Sequence, residues 1–174
     1  MSAALNCNIS FIGGGNMAQA LIGGLIARGL PATRITVSDP VEKVRLLLAE
    51  KEVNVTDDNI AAIKHADIVL FAVKPQVLAD VLKPLQGLLD GKLVISIVAG
   101  AEIATLSSLL GTDRIVRVMP NTPALVQTGA HGLFANADMS TADRELASQV
   151  LASTGLTIWV NSEAQIDAVT AVSG

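Results

Sequence analysis

The run Gly13-Gly14-Gly15-Asn16-Met17-Ala18 is the first place in this 174-residue chain where residue type and spacing suggest chemistry. It follows the apolar run Asn8–Ile12 and leads into a helix-like stretch whose apolar face is Leu21, Leu25 and Ile26. A G-x-G-x-x-A pattern between a strand and a helix is the turn that receives a dinucleotide. Gly13 permits the tight turn, Gly15 lets backbone approach a pyrophosphate, and Ala18 lets the helix pack close to the strand. The amino terminus of that helix adds free N–H groups and the positive end of a dipole, both suited to phosphate. The bland alternative is a turn with a structural role only.

The same pattern asks for an acid about 20 positions further on, to bond ribose hydroxyls. Asp39 lies 21 positions after Ala18, which would favour NAD. Yet Asp39-Pro40 with Glu42 also reads as a helix start: an N-cap, a proline at the first helical position and a capping box. A carboxylate used as a cap need not repel a 2′-phosphate, and Ser38, Lys43 or Arg45 could meet one. NAD and NADP both stay open on these residues.

Three more segments end apolar runs and so fall where a ligand would lie. Ala72-Val73-Lys74-Pro75 places a lysine there, although a solvated lysine before a helix-starting proline is equally ordinary. Val98-Ala99-Gly100 is small, as a backbone lining a flat ring should be. Met119-Pro120-Asn121-Thr122-Pro123 is stiffened by two prolines and reads either as a rigid ligand loop or as a braced corner. His65 and His131 have no acid–base partner in sequence and are expected at the surface. Cys7 is the lone cysteine, so an intrachain disulfide is impossible and no zinc-ligand spacing exists. No Ser–His–Asp arrangement, metal site or convincing catalytic acid or base is found.

The elements that must position these loops alternate regularly. Strand-length runs are Asn8–Ile12, Arg34–Ser38, Ile68–Val73, Leu93–Ile97, Ile115–Met119, Gly132–Ala135 and Thr157–Val160, with a shorter one at Val53–Val55. Helical stretches lie between them: one stopping at Gly29, one opening at Asp39-Pro40, and Gln76–Leu89 interrupted by Pro84. Ile103–Leu110 stops at Gly111, and Ser140–Thr154 carries a serine cap and stops at Gly155. Such alternation predicts an α/β fold: a doubly wound, mostly parallel sheet of the Rossmann type, with ligands at the carboxyl ends of its strands.

Composition agrees. Hydrophobic residues make up 51%, charged residues 16% and aromatics 2%. That excludes a disordered chain, and branched aliphatics with few charges suit strands covered on both faces. A net charge of −4 and scarce aromatics argue against a nucleic-acid partner. Residues 9–27 form an uncharged stretch of 19, but its five glycines mark a turn and not a membrane span, and no early Lys or Arg makes a signal peptide. A lone thiol points to a reducing, cytoplasmic setting.

Taken together, the run Phe11–Ala18, Ala72–Pro75, Ser96–Gly100, Met119–Pro123 and Asp167–Gly174 (DAVTAVSG) occur in the order found in pyrroline-5-carboxylate reductases. The chain resembles that family along essentially its whole length. MPNTP and DAVTAVSG are specific to it; the glycine turn is shared with many others. The resemblance implies reduction of 1-pyrroline-5-carboxylate to L-proline, the last step of proline biosynthesis, with NADPH usually preferred and NADH usable. It implies that Ile12, Gly13, Gly14, Gly15, Asn16 and Met17 hold the pyrophosphate. Ser38 and Asp39 would lie by the adenosine ribose and Asn59 near the adenine. Ala72, Val73, Lys74, Pro75, Val98, Ala99 and Gly100 would line the cofactor, with Asn121 near the nicotinamide.

On the same basis, residues 1–162 are expected to form the dinucleotide-binding domain and 163–174 the start of a helical dimerisation domain. Family members continue past Ser-Gly into that domain, which forms a homo-oligomer and supplies most of the imino-acid pocket, including a threonine that serves the substrate. This chain stops at Gly174 and is expected to turn over poorly alone. Two other readings stay open: a nucleotide-binding module without catalysis, and a different NAD(P)-dependent imine or hydroxyacid reductase.

Overall fold

Four consecutive buried residues, Ile9–Ile12, form strand β1 near the middle of an eight-stranded sheet. The computed structural model describes residues 5–173, with side chains followed to Ala168. The further strands are β2 (Ile35–Ser38), β3 (Asn54–Thr56), β4 (Ile68–Phe71), β5 (Leu93–Ser96), β6 (Ile115–Met119), β7 (Gly129–Ala135) and β8 (Gly155–Trp159). Their order is β3-β2-β1-β4-β5-β6-β7-β8. The first six run parallel; β7 pairs antiparallel with β6, and β8 parallel with β7. The predicted doubly wound, mostly parallel α/β fold is the observed one, and all eight predicted strands are present with ends shifted by a few residues.

Helices α1 (Asn16–Ala27) and α6 (Thr141–Leu151) accompany one face of the sheet. There Phe11, Leu21, Leu25, Val37, Leu70 and Val150 share a core. Helices α3 (Asn59–Ile63), α4 (Leu78–Leu82) and α5 (Ile103–Leu110) serve the other face, where Ile12, Ile63, Phe71, Leu82, Val94 and Leu106 pack together. Helix α2 (Glu42–Ala49) lies beside β2 and β3, and α7 (Glu163–Ser173) contacts β6 and β7. Coverage of both faces explains the unbroken apolar runs of β1, β4 and β5, which bury their odd and even side chains alike. Each such Leu, Ile or Val contributes about 1.5–3 kcal/mol on burial.

The punctuation read from the sequence is largely visible. Gly29 and Gly111 take positive φ and end α1 and α5. Pro84 splits its stretch into short helical turns, leaving α4 with five residues. Ser140 caps α6 by accepting the Asp143 N–H at 3.1 Å.

Three expectations are corrected. Helix α2 starts at Glu42 with Val41 in the cap position and no side-chain cap, so Asp39 caps nothing and Glu42 closes no capping box. Helix α6 ends at Leu151, and Gly155 opens β8 instead of stopping the helix; a β-carbon there would collide with the Gly129 carbonyl of the neighbouring strand. His131 is not a surface group: it is fully buried on β7, its Nε2 2.9 Å from the Thr154 hydroxyl and its Nδ1 without a partner among the described residues. His65 is exposed, as expected. The antiparallel turn at β7 also has a local cause. Only nine residues separate Met119 from Gly129, two of them proline, too few for the crossover a parallel neighbour needs.

Burial lowers the affinity of His131 for a proton below its ordinary value of 6.5. A folded-state value below the unfolded one means that stability is fully present above pH ~6.5 and is lost as the pH falls through the folded value, because only the unfolded chain takes up the proton. The thermal midpoint should therefore drop below pH ~6.5. His131→Leu should flatten that part of the profile; an unchanged slope in the variant would show that other groups carry it.

Candidate functional site

Parallel strands deliver their carboxyl ends to one edge, and the loops after β1, β2, β4, β5 and β6 gather there. The glycine turn lies at the centre. Ile12 is buried, and its carbonyl accepts the Ala72 N–H at 2.8 Å. Gly13 donates to the Ser38 carbonyl at 2.8 Å. Its φ is +101°, and a β-carbon would stand 2.6 Å from the Ala72 carbonyl oxygen, so side chains are excluded twice over.

Gly14 is closed off differently. A β-carbon there would lie 2.8 Å from both Leu48 and Val44 of α2. Its N–H donates to Asp39 Oδ2 at 2.9 Å, and its carbonyl accepts from Gln19 Nε2 at 2.8 Å. Gly15 is exposed, and nothing lies within 4 Å of where its β-carbon would be. The chain has left that space free. Helix α1 then begins at Asn16 with no side-chain cap, so its first N–H groups point to the open side. Asn16 is exposed, while Met17 is half-buried against the core and Ala18 is fully buried, as close helix–strand packing requires. This pattern fits a pyrophosphate: two glycines are needed by the fold, the third only by something that approaches from outside.

Asp39 is nearly buried, and both of its carboxylate oxygens are engaged. Oδ2 accepts Gly14 N–H and Oδ1 accepts Val41 N–H, each at 2.9 Å. Arg45 donates to the Asp39 carbonyl at 2.7 Å. Asp39 thus ties the second-strand loop to the glycine turn. Beside it, Ser38 donates through Oγ to Asn59 Oδ1 at 2.6 Å, which brings together the three residues Ser38, Asp39 and Asn59. Asn59 opens α3, capped by Asp58, which accepts from the N–H groups of Ile60 and Ala61. Sequence periodicity missed α3 because it is five residues long.

Across the sheet edge, Ala72 and Val73 are half-buried and Lys74 and Pro75 exposed. Val98 is buried, with Ala99 and Gly100 exposed and Gly100 at φ +72°. Asn121 is half-buried, and its Oδ1 accepts the Ala130 N–H at 2.9 Å. That bond, with the helical turn Thr122–Val126 and fully buried Ala124, makes the loop a braced corner.

One residue escaped the sequence reading. Arg117, 3% exposed on β6, donates to Glu163 at 3.1 Å and Asp167 at 3.0 Å. Glu163 Oε1 also accepts the Ile103 N–H at 2.9 Å, so the start of α5 and the start of α7 meet at one guanidinium. The visible signal was a lone arginine inside the apolar run Ile115–Met119. Of the run Asp167–Gly174, the side chains from Val169 onward lie outside the described residues. Elsewhere, Arg114 and Asp143 form a two-pronged pair at 2.8 and 2.6 Å, which holds the Asp143 carboxyl below its usual range and raises Arg114. Burial pushes the Cys7 thiol up, which disfavours a thiolate. No group of three or more His, Cys, Asp or Glu that could hold a metal occurs among the described residues, and no described helix is long and apolar enough to cross a membrane.

The three glycines should separate in experiment. Gly15→Val should change stability by less than ~1 kcal/mol, because φ −68° and ψ −174° suit any residue, yet weaken NADPH about tenfold or more in titration calorimetry. Gly13→Ala should cost more than ~2 kcal/mol of folding free energy in denaturant titration. Unchanged cofactor binding in Gly15→Val would remove the turn from the cofactor's path.

Comparison with known proteins agrees with this fold. The family model described as "NADP oxidoreductase coenzyme F420-dependent" matches residues 8–100. Pyrroline-5-carboxylate reductase of Pseudomonas aeruginosa is 49% identical over 169 residues, covering 95% of this chain and 62% of the relative. Among solved structures, a pyrroline-5-carboxylate reductase from Coxiella burnetii superposes with a TM-score of 0.93 at 41% identity, covering 98% of this chain and 64% of that one. The Plasmodium falciparum pyrroline carboxylate reductase with NADP bound gives 0.85 at 30% identity, covering 97% of this chain and 63% of that one. The chain thus spans somewhat under two thirds of the length of these relatives. With its glycine turn, sheet order and family match in agreement, the chain belongs to the NADP oxidoreductase, coenzyme F420-dependent family.

Proposed function

We propose that this chain is the cofactor-binding part of a pyrroline-5-carboxylate reductase, which reduces 1-pyrroline-5-carboxylate to L-proline with NADPH and, less well, NADH. The observation that carries this reading is the convergence, at one edge of the sheet, of the loops that resemble that family: Gly13–Met17, Ala72–Pro75, Val98–Gly100 and Asn121. A nicotinamide cofactor held at this edge would supply a hydride for the carbon of a protonated imine. The chain's own residues bind and orient. The free N–H groups at the start of α1 would hold the pyrophosphate, with the space at Gly15 left open for it. Ser38, Asp39 and Asn59 flank the adenosine, and Ala72–Pro75 and Val98–Gly100 form the walls beside the cofactor. Asn121, held by its bond to Ala130, would lie on the nicotinamide side. Orientation of this kind removes much of the entropic barrier to hydride transfer.

Asp39 bears on cofactor choice. Its two oxygens are spent on chain N–H groups, so an acid at this position does not by itself disfavour a 2′-phosphate. In the same proposal α7 begins a helical, dimerising domain at Glu163, residues 1–162 form the cofactor domain, and the whole protein is a homo-oligomer working in the cytoplasm, where a lone buried thiol stays reduced. In this reading the group that serves the imine lies in that further domain.

A chimera that continues residues 1–174 into the remaining segment of the Pseudomonas aeruginosa relative should form proline from pyrroline-5-carboxylate with NADPH, whereas residues 1–174 alone should bind NADPH and turn over poorly. A chimera that binds NADPH but reduces other cyclic imines or hydroxyacid precursors in preference would replace this reading. Efficient turnover by residues 1–174 would refute the assignment of the imine pocket to another domain.

A further inference from the structure

At the amino ends of β1, β2 and β3, opposite the glycine turn, the sheet and α3 enclose a second cavity of about 340 Å³. Its floor is a polar row on an otherwise apolar face. Ser10 on β1 is in register with Thr36 on β2, and Thr36 with Asn54 on β3. Two residues beyond Ser10 and on the same face, Ile12 packs against Ala62 and Ile63 of α3, as strand alternation requires. Ser10 is fully buried, and its Oγ has no hydrogen-bond partner among the described residues. Asn54 spends its amide on the Thr33 and Ile35 carbonyls, at 2.9 and 3.2 Å, which holds this corner in shape.

Among the described residues, Arg34 is the one cation of Lys or Arg type that lines the cavity. Arg34, half-buried, and His65 line it, and neither side chain makes an ion pair or hydrogen bond among the described residues. No Asp or Glu lines it; the neighbouring Asp67 turns its Oδ2 to the Asn8 N–H at 2.7 Å. A buried hydroxyl lacking a partner and a guanidinium without a hydrogen bond or ion pair, both lining one cavity, are donors that suit an oxyanion. We propose that this cavity is a ligand site separate from the cofactor turn, taking the carboxylate or phosphate group of a small molecule on Arg34 and the Ser10 hydroxyl. The inference is independent of the reductase reading, since it uses the opposite end of the sheet.

Titrating the ¹⁵N-labelled chain with inorganic phosphate and, separately, with malonate tests it. Saturable amide shifts at Ser10, Thr36, Asn54, Ala61 and His65 are expected with at least one probe, and the tighter one names the head group. Arg34→Gln, at a partly exposed position, should raise the dissociation constant about tenfold or more, and Ser10→Ala should raise it by a smaller factor. Shifts confined to Gly15–Met17 would place the anion on the glycine turn and overturn the proposal. So would an unchanged affinity in Arg34→Gln, or flat titrations with both probes, which would leave Ser10 to an ordered water.

Discussion

Gly13 passes between the ends of two strands with no room to spare. Its N–H is held by β2 and its α-carbon lies against the end of β4, at a φ that only glycine adopts without strain. Backbone must come this close because β1 lies directly between β2 and β4 in the sheet and its chain must leave upward between them. The path of the turn then aims α1, and that aim leaves the helix amino terminus bare and the space at Gly15 open. The loops after β4 and β5 take their places from the same register.

Polar groups at this edge are committed mainly to each other. Asp39 is a nearly buried carboxylate that satisfies two N–H groups from different loops. Such a group is costly unless bonded and stiffening when bonded. It fastens the glycine turn to the loop before α2, while Ser38 and Asn59 fasten β2 to α3. The polar groups of this edge are thus fixed by the chain's own hydrogen bonds, which lowers the ordering cost of binding there.

Arg117 does for α7 what Asp39 does for the turn. A guanidinium 3% exposed inside the sheet needs carboxylates, and α7 brings two, one of which also takes the N–H at the start of α5. The loop Val98–Gly100 runs directly into α5, so this loop and the root of α7 share one charge centre. Apolar packing of Ile166, fully buried, completes the seat of that helix.

The sequence by itself determined the alternation of strands and helices, the position of the glycine turn and the capping of α6, because these depend on local periodicity, glycine conformation and short-range hydrogen bonds. Tertiary structure alone decided what Asp39, Asn121, His131 and Arg117 do. Asp39-Pro40 carries every local mark of a helix cap, yet one carboxylate oxygen goes to Gly14, 25 positions earlier, and the other to Val41, ahead of the helix. Asn121 braces Ala130 across a corner, and His131 is buried where β7 meets β8. Arg117 finds partners 46 and 50 residues away. Such choices are set by which strands become neighbours, and a side chain's partner across the sheet leaves no trace in its own surroundings along the chain.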